Sequence, residues 1–319
     1  MPKTLEFSNG DELPMLGLGT WKAAPGEVGA AIEAAVRMGY RHVDCAAIYG
    51  NEAEIGETLG QLFRAGVVKR EELWITSKLW NDAHAPQDVL PALEKTLHDL
   101  QLNYLDLYLI HWPLAFRHGV HFPDSPADTI SLTELPLAVT WEAMEKLAEN
   151  ELCRHIGVAN FSRAKLKSLL QTARRKPEMN QIELHPYLQQ PLMLEFCRNN
   201  GIHLTAYAPL GSGGRPEPLK GLDEPVLLND PAIAEIARRR GATVAQVLLQ
   251  WGLARGTAVI PKSVNPVRLQ ENLAATKLTL SASEIAAVNQ LDRSRRYFGG
   301  EFWTMDGTDY SLASLWDGE

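Results

Sequence analysis

The chain has 319 residues, 45% of them apolar and 22% charged, and a formal net charge of -8. That is the profile of a globular protein long enough to bury a full core without metals or disulfides. The acid excess speaks against a nucleic-acid partner, which needs a concentrated basic surface, and no apolar run approaches the roughly 20 residues of a membrane span.

Cys45, Cys153 and Cys197 are widely spaced and form no CxxC pair. They read as small buried side chains in a reducing compartment, with no zinc site and no disulfide framework. The first eight residues contain no apolar signal segment, so the expected location is the cytoplasm.

Lys3–Phe7 and Leu13–Met15 flank Asn9-Gly10-Asp11, a hairpin turn signal. Strand Leu16–Thr20 follows, then a helix opened by Pro25 and ended by Gly39, strand His42–Ala46 and helix Glu52–Phe63. Strand Leu73–Lys78, helix Asp88–Leu100, strand Leu105–His111 and helix Leu137–Glu149 continue the rhythm. The remaining pairs are His155–Val158 with Arg163–Thr172, Asn180–Leu184 with Pro191–Asn199, His203–Ala208 with Pro231–Arg239, and Ala258–Ile260 with Pro266–Asn272. An extra helix, Ala242–Leu253, precedes the last strand. Eight parallel strands alternating with helices suit an α/β protein of the closed (β/α)8 barrel type, one domain over 1–319 with an N-terminal β-hairpin. Three turn-rich stretches, Pro113–Leu135, Gly211–Asn229 and Arg295–Glu319, break the rhythm and read as lids over the barrel's C-terminal face.

Asp44, Lys78 and His111 end strands two, three and four, and Tyr49 follows strand two by a few residues. Active sites of such barrels are built from residues at the C-terminal ends of several strands. A buried Asp asks for a cation, which Lys78 supplies, and that cation in turn is expected to lower the Tyr49 pKa from about 10 toward working pH. His111 then orients a carbonyl oxygen and Tyr49 delivers a proton as hydride reaches the carbon. Any one of these residues alone reads as structural; their joint position favours function.

The chain resembles the aldo-keto reductase family over nearly its whole length. The phrases that carry the resemblance are Gly17-Leu18-Gly19-Thr20-Trp21, the Asp44–Glu52 block, Ser77-Lys78-Leu79-Trp80, Leu107–Pro113, Gly157–Phe161, Asn180–Glu183, and Ile260–Ser263 followed by Arg268. It implies NADPH-dependent carbonyl reduction with the tetrad Asp44, Tyr49, Lys78 and His111. There is no GxGxxG fingerprint, so a dinucleotide fold of the Rossmann type is not expected. By the resemblance, Asn160 and Gln181 hold the nicotinamide carboxamide, Tyr207 stacks on the ring, and Pro209, Leu210, Gly211 and Ser212 begin a loop over the pyrophosphate. It also assigns Gly19, Thr20, Trp21, Asp44, Ile260 and Pro261 to the cofactor site, with Glu271 and Asn272 reaching the adenine. Lys262, Ser263 and Arg268, at the start of the last barrel helix, suit the doubly charged 2′-phosphate of NADP.

Two positions depart from the family pattern. Ala159 stands where Ser is frequent, and the acid that latches the loop after strand seven onto lysines such as Lys22 and Lys262 is replaced by Gly214 and Arg215, with Glu217 as the substitute. Trp21, Trp80, Trp112, Phe122 and Trp303 are expected to wall the substrate cleft around His111, with Phe116 and Phe302 added from the lids. Such walls favour aromatic or medium-chain aldehydes and compact ketones, while Arg117, His118 and His121 leave room for a carboxylate. The expected protein is a monomer acting on a small carbonyl compound, with no metal and no membrane partner. The competing reading is a non-catalytic, NADPH-binding redox sensor. A steroid double-bond reductase is disfavoured by His111, since Glu at that position would suit that chemistry.

Overall fold

The computed structural model of the chain describes residues 3–319. Met1 and Pro2, part of the stretch read for a signal segment, lie outside them. The eight barrel strands are β1 (Leu18–Gly19), β2 (His42–Asp44), β3 (Trp74–Leu79), β4 (Leu105–Ile110), β5 (Cys153–Ala159), β6 (Met179–Glu183), β7 (His203–Tyr207) and β8 (Ala258–Val259). Each pairs with the next in chain order and every pairing is parallel. The ring closes where Leu16 bridges Val259 and Gly19 bridges Lys262. Gly17 N–H donates to the Val259 carbonyl at 2.9 Å, and Val259 N–H to that of Met15 at 2.7 Å. Gly19 has to be a glycine there, because a Cβ would stand 2.8 Å from the Ile260 carbonyl oxygen.

β3 and β4 are buried at every position, as parallel strands between a barrel interior and a helix layer must be. Their charged members are paired: Lys78 meets Asp44 at 2.5 Å, and Asp106 takes Arg70 at 2.7 Å and the Ile75 N–H at 2.8 Å. Helices cover the outside with apolar stripes such as Ile55, Leu59 and Leu62 on Glu52–Arg64. Their limits follow local chemistry. Pro stands in the first turn of Pro86–Leu100, Pro191–Asn200, Pro231–Arg240 and Pro266–Ala274, and left-handed glycines end several helices, including Gly39 and Gly241. The first helix starts at Val28, three residues after Pro25, because Gly26 turns the chain at φ 84°.

The long connections carry more structure than expected. Ala115–Phe116 pairs with Thr129–Ile130 inside the first, and the last ends in the helix Leu312–Trp316. These two lids are tied together: the Tyr310 hydroxyl accepts from the Ala115 N–H at 2.9 Å and donates to the Ile130 carbonyl at 2.5 Å. The chain end is anchored by Lys165 on Asp317 at 2.6 Å. An unforeseen helix, Ala282–Asn289, follows the barrel and is capped by Ser281 and Glu284. Among the described residues, no helix is long and apolar enough to cross a membrane.

Candidate active site

A cleft of about 830 Å³ opens at the C-terminal ends of the strands. At its floor Lys78 is fully buried and donates to Asp44 Oδ1 at 2.5 Å and to the Cys45 carbonyl at 2.7 Å. Asp44 Oδ2 takes Gln181 Nε2 at 2.7 Å, so both carboxylate oxygens are satisfied without water. Burial alone would lower the Lys78 pKa, but the Asp44 charge and nearby Tyr49 carry it above the ordinary lysine value. Lys78 is therefore a fixed cation, 5.2 Å from the centroid of the Tyr49 ring.

Tyr49 stands on the short 3-10 turn Ala47–Tyr49 that follows β2, and its ring meets that of His111 edge-on at 6.0 Å. The expected lowering of the Tyr49 pKa is not what the structure gives. Burial pushes the hydroxyl up to about 12, with Lys78 pulling the other way, so the phenol keeps its proton at neutral pH. Desolvation outweighs the cation because Tyr49 sits at the bottom of an apolar cleft. His111 is held neutral, well below its ordinary value, first by burial and then by Lys78 and His84. A neutral imidazole and a protonated phenol, side by side over a buried cation, are two hydrogen-bond donors for one oxygen atom.

Asn160, at the end of β5, adopts φ 62°, a conformation Asn tolerates better than most residues. Its amide donates to the His111 carbonyl at 2.9 Å and accepts from the Tyr207 hydroxyl at 2.8 Å, which joins β4, β5 and β7 at the rim. Lys22, Ala208 and Ser212 also line the cleft with positive φ, so four of the ten non-glycine residues in that conformation among the described residues stand there.

Of the residues expected around a cofactor, Gly19, Thr20, Trp21, Asp44, Asn160, Gln181, Tyr207, Pro209, Leu210, Ser212, Ile260, Pro261, Lys262, Ser263 and Arg268 line the cleft. Gly211 does not; it packs behind the loop, where a Cβ would meet Leu227 at 2.8 Å. Glu271 and Asn272 also stand outside the cleft, Asn272 being buried. Trp21, Trp80, His111, Trp112, Phe122, Phe302 and Trp303 form the walls, with Trp303 packed 5.7 Å from Trp80 and 5.6 Å from Trp112. Phe116 lies behind them in an aromatic cluster with Trp303 and Tyr310.

Arg117, His118 and His121 do not reach the cleft: they face Glu134, Asp88 and Asp82 at 3.5, 3.4 and 3.8 Å. Glu217 is likewise no latch, since it pairs with Lys220 at 2.6 Å. Sequence reasoning missed Ile48, Ala208, Leu228, Asn265 and Phe298. Asn265 had a visible signal, because it caps the helix opened by Pro266 and accepts from the Val267 and Arg268 N–H groups. Phe298, edge-on to both Trp21 and Tyr207 at 5.6 Å, had none beyond its place in a lid.

A family model described as the aldo/keto reductase family matches residues 15–293. The chain belongs to the aldo/keto reductase family. It is 57% identical to an aldo/keto reductase of Synechocystis over 315 residues, 99% of this chain and 96% of that protein. It is 46% identical to human aldo-keto reductase family 1 member A1 over 290 residues, 90% of this chain and 89% of that one. A solved aldose reductase from Schistosoma japonicum superposes with a TM-score of 0.86 at 42% identity, covering 94% of this chain and 95% of that structure. Membership makes this protein an oxidoreductase of a family that in general reduces carbonyl compounds with NADP(H).

Proposed function

We propose that this protein reduces aldehydes and ketones to alcohols with NADPH, and that Tyr49 donates the proton. The cleft's donor set fits that cofactor. Lys262 donates only to the Lys22 carbonyl among the described residues, so its remaining N–H groups are free for a phosphate beside Arg268 and the N-terminus of Pro266–Ala274. The buried amides of Asn160 and Gln181 and the Tyr207 ring suit the carboxamide and one face of a nicotinamide. With Glu271 and Asn272 outside the cleft, Arg268 and Asn265 are better placed for the adenine end.

When bound, the dihydronicotinamide supplies a hydride to carbon. The protein's own residues do the rest. Tyr49 and His111 hydrogen-bond the carbonyl oxygen, Tyr49 releases its proton to it, and the tyrosinate left behind is stabilised by Lys78, itself fixed by Asp44. The aromatic walls exclude water and offer no cation to a substrate anion, which favours aromatic or medium-chain aldehydes over acids. Three free, buried thiols suit a cytoplasmic protein, and the site needs no second copy.

The observation that carries this reading is the buried Asp44–Lys78 pair beneath Tyr49 and His111 at the floor of an aromatic cleft. It is tested by following NADPH oxidation at the nicotinamide absorbance band with aromatic, aliphatic, sugar and dicarbonyl aldehydes, and NADH in parallel. Turnover with NADPH is expected. Tight NADPH binding without turnover on any carbonyl would replace it with the redox-sensing role.

A further inference from the structure

Asn81 and His84 belong to the turn that leaves β3, and they are 0% and 1% exposed. Both polar atoms of the Asn81 side chain, both ring nitrogens of His84, and Nδ1 of His111 are buried with no protein hydrogen-bond partner. Buried polar groups are rarely left unpaired, and where protein does not pair them internal water does.

The turn leaves β3 beside the end of β4, where Leu79 pairs with Ile110, the residue before His111. The His111 backbone N–H donates to the Leu79 carbonyl at 3.1 Å, and the His111 ring meets that of Trp80 at 5.1 Å. Asn81 is the next residue, and a positive charge on His84 would disfavour one on His111. Thr140 Oγ1 donates to the His84 carbonyl at 2.9 Å and fixes the turn against the helix Leu137–Glu149.

The donors and acceptors of the group are complementary. Burial keeps both rings neutral, His84 being pushed down to about 3. A neutral imidazole carries one proton, so His111 offers an N–H to the cleft from Nε2 only if Nδ1 is an acceptor. That acceptor needs a donor. The Asn81 amide has two N–H groups and the neutral His84 ring has one.

We propose that Asn81 and His84, bridged by internal water, donate to Nδ1 of His111 and thereby keep its proton on Nε2, facing the cleft. Both are positioning residues that act through His111. The use made of the Nε2 proton rests on the carbonyl-reduction reading above; the tautomer itself is a property of the resting protein.

The test is the ring-nitrogen spectrum of the full chain labelled with 15N at histidine, recorded without cofactor or substrate. Wild-type His111 is expected as the Nε2–H tautomer, Asn81→Leu and His84→Leu each as a mixture with Nδ1–H, and His84→Gln, which keeps a donor, as the wild type. An Nδ1–H ring in the wild type, or an unchanged His111 in both Leu variants, overturns the proposal. If the Leu variants do not fold, cross-relaxation between a long-lived water and the wild-type His111 ring decides: its presence supports the bridge and its absence overturns it. In turnover the Leu variants should lose kcat on the order of tenfold or more with NADPH affinity unchanged, because a wrong tautomer turns a lone pair toward the carbonyl oxygen. A wild type that turns over no carbonyl removes the functional reading and leaves the tautomer result standing.

Discussion

Lys22 Nζ donates to the carbonyl oxygen of Gly214 at 2.8 Å, across the mouth of the cleft. The loop after β7 is thus fastened at its crossing by an exposed ammonium–carbonyl bond, with no carboxylate. Its shape is held from within. Arg215, 2% exposed, bonds the Leu219 carbonyl at 3.1 Å and the Glu224 carboxylate, and lies 4.8 Å over the Tyr297 ring.

An exposed crossing bond is worth little, whereas breaking a buried charge pair leaves one partner uncompensated. Arg215→Met is therefore expected to speed NADPH release by about tenfold, while Lys22→Met changes it by less than about threefold. Stopped-flow fluorescence of the released nucleotide reads both. A larger effect from Lys22 would assign the closure to the crossing.

Lys262 and Arg268 point to a second difference measurement. Changing both to Ala should raise the NADPH Michaelis constant by on the order of tenfold or more, with little change for NADH, because only NADPH carries the 2′-phosphate. Equal effects on the two nucleotides would remove that assignment.

Tyr49→Phe removes one hydroxyl from a ring whose packing it leaves alone. Nucleotide binding should persist, while carbonyl reduction falls by roughly 10²-fold or more, the usual scale for a lost general acid. Single-turnover kinetics separates the two, and near-normal hydride transfer would move the proton donor elsewhere.

The parts of this site that were legible in the chain are those where a strand pattern ends abruptly. Asp44, Lys78 and His111 each terminate an apolar run, and the barrel brings such ends together whatever the intervening loops do. Side chains on the lids obey no such register. His118 and His121 turned to Asp88 and Asp82, acids contributed by other segments that chain order does not bring into view. The two-residue strands Ala115–Phe116 and Thr129–Ile130 are too short to show a period. The Tyr49 pKa failed for a different reason: the sequence displays the cation that lowers it, but the desolvation that wins depends on depth in the cleft. The helix Ala282–Asn289 carries a local signal in its Ser281–Glu284 capping box, but it follows the last strand–helix unit and so stands outside the barrel's rhythm.

Glu52 offers the clearest dependence on pH. It is 4% exposed behind β3, accepts from Ser77 at 2.5 Å and Thr96 at 3.1 Å, and burial pushes its carboxyl from 4.5 up to about 7 against those two hydroxyls. Below the unfolded value both states carry the proton and Glu52 contributes no pH dependence. Between 4.5 and about 7 the unfolded chain ionises while the fold holds its proton, so stability falls as pH rises through that window and levels off above it. Glu52→Gln keeps an oxygen acceptor and removes the ionisation. Its stability relative to wild type should improve by on the order of 2–3 kcal/mol between about pH 5 and pH 8, with most of the gain before pH 7. Urea unfolding of both proteins across that range measures it, and a difference that does not change with pH would mean that Glu52 ionises in the fold as readily as in the open chain.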